Sequence, residues 1–498
     1  MVEPERWWRE GVFYQVYPRS FADSNGDGIG DLRGLIDRLD HLEWLGVDGI
    51  WLSPIHPSPN EDWGYDVSDY LGVHPDLGTL EDVDELVAEA GRRGIRVLLD
   101  LVPNHTSIRH PWFRERPELY VWTDEPPNNW RSVFDRGPSW TLDGETGRYY
   151  LHTFATGQPD LDWRNPEVHA EFQRIIRFWL DRGVAGFRLD VVNVLYKDPE
   201  LRDDPPAGPE DPPLLRELGM RRVNSMNQPE IHDLLREWRR LCEEYEPPRI
   251  LVGEVYAFQV PHWASYYGNG DQLHLSFNFQ LMYNRFEAGK LSGVVAEVER
   301  ELPAGAWPCW AGSNHDGGRL ASRWARGDER LARCGLLILL GLRGTPFLYY
   351  GDELGLLDGE VPPERRLDHA EPGRDAARTP MPWSAAGEWR NPWLPLVDTS
   401  RNVADQRADS ASTLHFTREL IAARRRLPDL RTGSYRELES PPDVWAWRCG
   451  GTCVVAVNLG MEEARIESEG RIELSTDREG EGESSTIASA PARASSSA

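Results

Sequence analysis

Basic residues are too few in this chain to balance its acids. Fifty-five Lys and Arg stand against 82 Asp and Glu in 498 residues, a formal net charge of −27. That excess repels phosphate backbones and anionic lipid surfaces, which argues against nucleic acid and the membrane as partners. A small neutral ligand is compatible with it. Cysteine is scarce too, with five, at 242, 309, 334, 449 and 453. No second pair joins Cys449 and Cys453 to complete a zinc site. An odd, scattered set predicts free thiols in a reducing compartment. No apolar run reaches the ~18 residues of a membrane span, and the N-terminal MVEPERWWREGVFYQVYP lacks the apolar core of a signal peptide. These absences predict a cytoplasmic protein.

What is present is an alternation. The runs VFYQVYP, VDGIWLS, IRVLLDLV, VAGFRLDVV, RILVGEVY, LHLSFNF, CWAGSNHD and TPFLYYGDE read as eight short strands, rich in β-branched and aromatic residues. Helical patterns lie between most of them. Over 165–181, Asn165 caps, Pro166 takes the first helical position, and Val168, Phe172, Ile175, Ile176 and Trp179 recur at helical spacing before Gly183. Eight strands alternating with helices predict an α/β chain, a closed parallel (β/α)8 barrel. The barrel is expected over 1–104 and 165–430. The interruption at 105–164, rich in Pro, Trp and Asn, is too long for a structureless loop and reads as an inserted domain after the third strand. The stretch 198–213 reads as a flap, and 351–408 as an ordered loop over the barrel top. Alternating strands after 430 predict a small antiparallel β domain over 431–478. The Glu-, Ser- and Ala-rich residues 479–498 are expected to be disordered.

Barrel chemistry sits at the C-terminal ends of strands. There the third strand gives Asp100, Asn104 and His105, the fourth Arg188 and Asp190, the fifth Glu254, and the seventh His315 and Asp316. Apolar strands ending in carboxylates need a task or a partner for them, because a buried charge is costly. Paired carboxylates are what glycosidic cleavage needs: one protonates the leaving oxygen, the other attacks the anomeric carbon or activates water. Asp190 and Glu254 lie on adjacent strands, in reach of the ~5–5.5 Å separation of a retaining enzyme. Arg188 shares a face with Asp190, and its guanidinium is expected to keep Asp190 ionised. The apolar ILVG before Glu254 makes a dry site suited to a general acid.

These residues resemble glycoside hydrolase family 13, the α-amylase family, from the first strand to about residue 460. DLVPNHTS (100–107), GFRLDVVN (186–193), GEVY (253–256) and SNHD (313–316) look like its four catalytic regions in order, and QPDLDW (158–163) like a fifth. The resemblance implies Asp190 as nucleophile, Glu254 as general acid/base and Asp316 as the carboxylate that stabilises the transition state. It also implies His105, Arg188 and His315 lining a glucose subsite, with Asp100 and Asn104 holding its wall. PPNNWRSVF (126–134) and RDAARTPMPW (374–383) resemble the α-glucosidase and oligo-1,6-glucosidase branch. In GYDVSDY (64–70), that branch implies Tyr65 stacking on the terminal glucose and Asp66 binding its hydroxyls. Arg401 is then expected to pair with Asp66 and close the pocket for exo action. Val191, after the nucleophile, resembles relatives that cut α-1,6 bonds, whereas GEVY and the Pro-rich flap resemble α-glucosidases of mixed or α-1,4 preference.

DSNGDGIGD (23–31) resembles the front of an EF-hand loop without its closing Glu. The family resemblance implies one structural Ca²⁺ or Mg²⁺ held by Asp23, Asn25, Asp27, Asp31 and the Ile29 carbonyl. The reading is a retaining exo-acting α-glucosidase on short neutral α-glucosides. The alternatives are an oligo-1,6-glucosidase, a related glucosyltransferase or isomerase such as a trehalose or isomaltulose synthase, and a non-catalytic barrel that binds partners.

Overall fold

A computed structural model describes residues 7–257, 259–368, 373–396, 398–466, 468–483 and 488–489. Eight parallel strands form the central sheet: β1 (Phe13–Val16), β2 (Gly49–Leu52), β3 (Arg96–Leu101), β4 (Gly186–Leu189), β5 (Ile250–Gly253), β6 (Leu275–Ser276), β7 (Cys309–Ala311) and β8 (Thr345–Tyr349). Each run expected from the sequence contains one of them. Neighbours in sequence are neighbours in the sheet, β8 pairs with β1, and a parallel bridge from Phe277 to Cys309 joins the β6 and β7 edges. The barrel is closed, with helices on its outside.

The two-residue side-chain period of a strand explains how the barrel is filled. Phe13, Trp51, Leu98, Ile250, Val252, Phe277 and Phe347 make an apolar plug inside, with Phe13 stacked on Phe347 at 4.7 Å between centroids. Two residues further along, the same inward face carries Gln15, Asp100 and Glu254. Arg188 and Asp190 share it on β4. The intervening Leu99, Leu101, Phe187, Leu189 and Leu251 join the larger core under the helices. Gly186 is required where β4 begins, since a Cβ there would meet the Ile250 carbonyl oxygen at 2.1 Å. The helix Pro166–Asp181 begins as its sequence demands: Asn165 accepts from the Glu167 amide, Pro166 follows, and Val168, Phe172, Ile175, Ile176 and Trp179 are buried.

Between β3 and the helix Pro166–Asp181 lies a small antiparallel sheet of Trp122–Thr123, Trp140–Leu142 and Tyr149–Leu151, the last in the middle. The stretch read as a flap is fastened to this insertion. Asn129 Nδ2 donates to the Asp204 carbonyl and Asn129 Oδ1 accepts the Asp204 amide, both at 2.9 Å, and Trp130 Nε1 donates to the Arg202 carbonyl. At the C-terminal end, β9 (Tyr435–Leu438), β10 (Val444–Cys449) and β11 (Cys453–Asn458) form an antiparallel sheet. It docks on the helix Glu329–Gly341 through Trp447, whose indole donates to the Gly341 carbonyl at 3.1 Å. Within the tail expected to be disordered, 479–483 runs back beside 472, with the Gly482 amide on the Ile472 carbonyl, and Ala488–Ser489 pairs with Ala464–Arg465. Those short pieces have backbone partners that composition did not reveal. Residues 484–487 and 490–498 lie outside the described residues. All five cysteines are free and buried. Among the described residues no helix is long and apolar enough to cross a membrane.

Candidate active site

One guanidinium organises the barrel mouth. Arg188 is almost wholly buried. Its NH1 donates to Asp100 (2.9 Å) and to Asp190 (2.6 Å), and its NH2 lies 2.6 Å from Glu254 Oε2. Three carboxylates from three adjacent strands thus share one cation. Val191 follows Asp190 with φ of +36°, a left-handed conformation that is strained for a β-branched residue. It turns the chain sharply at the strand end and aims the Val191 amide at Glu254 Oε2, 3.0 Å away. Strain at this position is what one expects where backbone is used to set two reacting groups against each other.

Burial pushes the Asp190 carboxyl well above the usual carboxylate range. Arg188 pulls it down, favouring the charged form as expected of it, but Glu254 and Asp100 push it up again. Burial likewise raises Asp100 to about 7, against the pull of Arg188. Its Oδ2 accepts from Tyr65 Oη (2.9 Å) and Trp51 Nε1 (3.1 Å).

His315 lies parallel to the Tyr65 ring at 5.2 Å between centroids, with its Nε2 2.6 Å from Tyr65 Oη and its Nδ1 2.8 Å from Gln15 Nε2. Burial holds it neutral, down to about 3. Asp316 has the opposite environment. Burial works to raise it, but the guanidiniums of Arg374 and Arg378 work against that, and it is held well below the usual range. Arg374 and Arg378 reach its Oδ1 at 3.2 and 3.0 Å. His105 Nε2 lies 3.1 Å from the Tyr65 carbonyl and 3.2 Å from Gln158 Nε2, which also donates to Asp62.

Two expected partners are not at the mouth together. The Asp66 carboxylate is fully buried and spends its oxygens on Ser58 Oγ and the amides of Glu61 and Asp62. Arg401 donates to the carbonyls of Gly355 and Gly327. The acid–guanidinium pair found near Tyr65 is instead Asp62 with Arg374, at 2.6 Å. Arg374 also reaches Asp316, and it lies 5.1 Å above the Phe134 ring of the insertion. It therefore bridges the β2 loop, the β7 end and the inserted domain. The sequence held a signal for both: Arg374 opens the RDAARTPMPW motif, and Asp62 stands three residues before Tyr65. A loop has no periodicity to tell which of two acids flanking Tyr65 faces inward.

The five residues read as a metal loop share one turn. Asp23 accepts the amides of Gly26 and Gly28, Asp27 that of Ile29, and Asp31 those of Ser24 and Gly34. Among the described residues these carboxylates form no ready-made cluster of three acidic or metal-binding side chains. The donors are nevertheless oxygen only, on a nine-residue loop whose acids make no ion pair with Lys or Arg among the described residues, which fits a hard cation better than any softer metal.

The buried titrating groups set a pH profile for stability. His56 and His110 are lowered by burial to about 4, and His315 to about 3. Below their unfolded value near 6.5 the unfolded chain binds protons that the fold refuses, so stability rises with pH up to that point. Asp100 and Asp352 are raised by burial to about 7, and Asp190 is raised further than the ordinary range. Their stabilisation is lost as pH rises through the folded values. Seven histidines in all are lowered by burial (His56, His74, His105, His110, His262, His274 and His315) against four raised aspartates (Asp66, Asp100, Asp190 and Asp352), so thermal melts across pH are expected to peak at about pH 6.5. A melting temperature still climbing at pH 8 would contradict this assignment.

A closed barrel with paired carboxylates at the strand ends is the architecture of a glycoside hydrolase. Within that class the chain belongs to the α-amylase family, whose catalytic-domain model matches residues 15–433. It is 42% identical to a probable α-glucosidase of Rhizobium meliloti (strain 1021), over 88% of this chain and 86% of that one. It is 36% identical to an oligo-1,6-glucosidase of Parageobacillus thermoglucosidasius, over 89% and 88%. Among solved structures it is similar to an α-glucosyl transfer enzyme, with TM-score 0.88, 38% identity and 93% of each chain covered.

Proposed function

We propose that this protein is a retaining, exo-acting α-glucosidase that releases glucose from short, neutral α-glucosides. The observation that carries this is the joint hold of Arg188 on Asp190 and Glu254. In the double displacement the carboxylate of Asp190 attacks the anomeric carbon while Glu254, as the acid, protonates the leaving oxygen. Asp190 then forms the covalent glucosyl-enzyme, and Glu254, now a base, takes the proton of the incoming water. Asp316, kept ionised by two guanidiniums, stabilises the oxocarbenium-like charge. Neutral His315, with His105, Tyr65 and Arg188, lines the glucose subsite. The Asp62–Arg374 pair supports exo action, because it walls off the far end of that subsite.

Product analysis on maltose, isomaltose and sucrose tests the reading: glucose should be released from the non-reducing end of at least one of them. Isomerised disaccharide as the main product would favour transfer. That second reading has its own support in the apolar Phe154, Val191, Val194 and Met226 beside the nucleophile, a surface better suited to an acceptor sugar than to water. Val191→Thr is expected to shift the isomaltose-to-maltose turnover ratio severalfold towards maltose; an unchanged ratio would remove Val191 from the linkage account.

We further propose that the 23–31 loop holds one Ca²⁺ or Mg²⁺ through Asp23, Asn25, Asp27, Asp31 and the Ile29 carbonyl, as a structural ion. It takes no part in the chemistry. Chelation is expected to lower the melting temperature by several degrees with kcat unchanged in the surviving fold, and an identical melt would rule the ion out. Free buried thiols support a cytoplasmic location.

A further inference from the structure

A second cleft lies away from the catalytic carboxylates, where the inserted domain meets the loop that follows β4. It has a volume of about 330 Å³, and none of Asp190, Glu254 and Asp316 lines it. That is the small end of the ~300–1,000 Å³ range of ligand pockets and suits a mono- or disaccharide. The insertion contributes Trp122, Arg148, Asp162 and Arg164, and the loop contributes Tyr196 and Leu201. Trp122 stacks one face on Phe113 at 5.2 Å and is only half-buried. Asp162 accepts one backbone amide, from Arg164, and has no cation within ion-pair distance among the described residues. Arg148 stands at the rim, where its side chain pairs with the exposed Asp124 and with no other acid among the described residues.

The chemistry of the lining selects its ligand. The lining carries Glu118, Asp162 and Asp198 against Arg148, Arg164 and Lys197, with Arg164 already paired with Glu230 at 2.6 Å, so an anion meets Asp162 and Glu118 while a cation meets Arg148. A neutral polyhydroxylated ring can donate to the first and accept from the second, and it can lay an apolar face on an aromatic ring. The cleft also touches the glucose subsite through one side chain. Lys197 lies in its floor, donates to Asn104 Oδ1 at 2.7 Å and pairs with Asp160 at 2.8 Å. Asn104 Nδ2 is in turn 3.2 Å from His105 Nδ1.

We infer that this cleft is a second binding site for a neutral glucoside, distinct from the glucose subsite. It rests on the lining of the cleft rather than on the proposed catalytic reading. The test is calorimetric titration of maltose into the Glu254→Gln variant saturated with deoxynojirimycin, a glucose-shaped amine that fills the catalytic subsite. Maltose is expected to bind still, once per chain in the millimolar range. Adding Arg148→Ala and Asp162→Ala should weaken that binding about tenfold or more without changing deoxynojirimycin affinity. Arg148→Ala alone, on the exposed rim, serves if the double substitution disturbs folding. No maltose binding to the saturated protein, or binding that both variants leave intact, would overturn the inference. Failure of deoxynojirimycin to bind would instead count against the catalytic reading, and maltose binding that Arg148→Ala weakens would still support the cleft.

Discussion

Replacing Asp190 by Asn is expected to lower kcat on maltose by on the order of 10⁴–10⁶-fold and, at pH 7, to raise the melting temperature. Both effects come from one environment. In the proposed double displacement the carboxylate attacks the anomeric carbon, and the amide cannot form the covalent intermediate. The folded protein holds Asp190 in a buried site among Glu254 and Asp100, which raises its carboxyl well above the ordinary range. At neutral pH the unfolded chain is free of that cost, so the native acid lowers stability, and a neutral side chain of the same shape does not. A rise of about 2 °C or more is expected. Arg188 keeps Asp100 and Glu254 as partners in the variant. Inactivity together with a lower melting temperature would mean that Asp190 serves the fold rather than the reaction.

Glu254→Gln is expected to separate substrates by their leaving groups. Gln retains the oxygen that accepts the Val191 amide and faces Arg188, so the local geometry survives. It has no proton to give a sugar oxygen. Turnover of maltose should fall about 10²–10⁴-fold. A nitrophenyl α-glucoside departs without a proton, so its first step should lose less than about tenfold. The second step then lacks its base, and the glucosyl-enzyme on Asp190 should accumulate and be visible by mass spectrometry of the intact protein. Equal losses on both substrates would remove Glu254 from acid duty.

The barrel was legible because each strand is a short apolar run bounded by turns, and because a closed barrel needs eight of them. Strand parity carried the reading into the site: Val252 in the plug fixes Glu254 above it, and Arg188 fixes Asp190. Loops follow no such rule. Asp66 adjoins Tyr65 and Asp62 stands three residues before it, yet the turn at 58–66 folds the Asp66 carboxylate onto the amides of Glu61 and Asp62 and leaves Asp62 to meet Arg374. Arg401 was placed by analogy alone, and carbonyls from two other loops hold it. The charge state of Asp190 depends on how many acids share Arg188, a count that only the assembled strands reveal. The strained Val191 backbone has no sequence signature either, since valine is a residue one would not choose for it.

The central claim is the double displacement at Asp190. Proton NMR of maltose hydrolysis, recorded over the first minutes before mutarotation mixes the anomers, tests it most directly. The account predicts that the glucose released from the non-reducing end appears first as the α anomer. Early β-glucose from that end would mean a single displacement by water, and would contradict it.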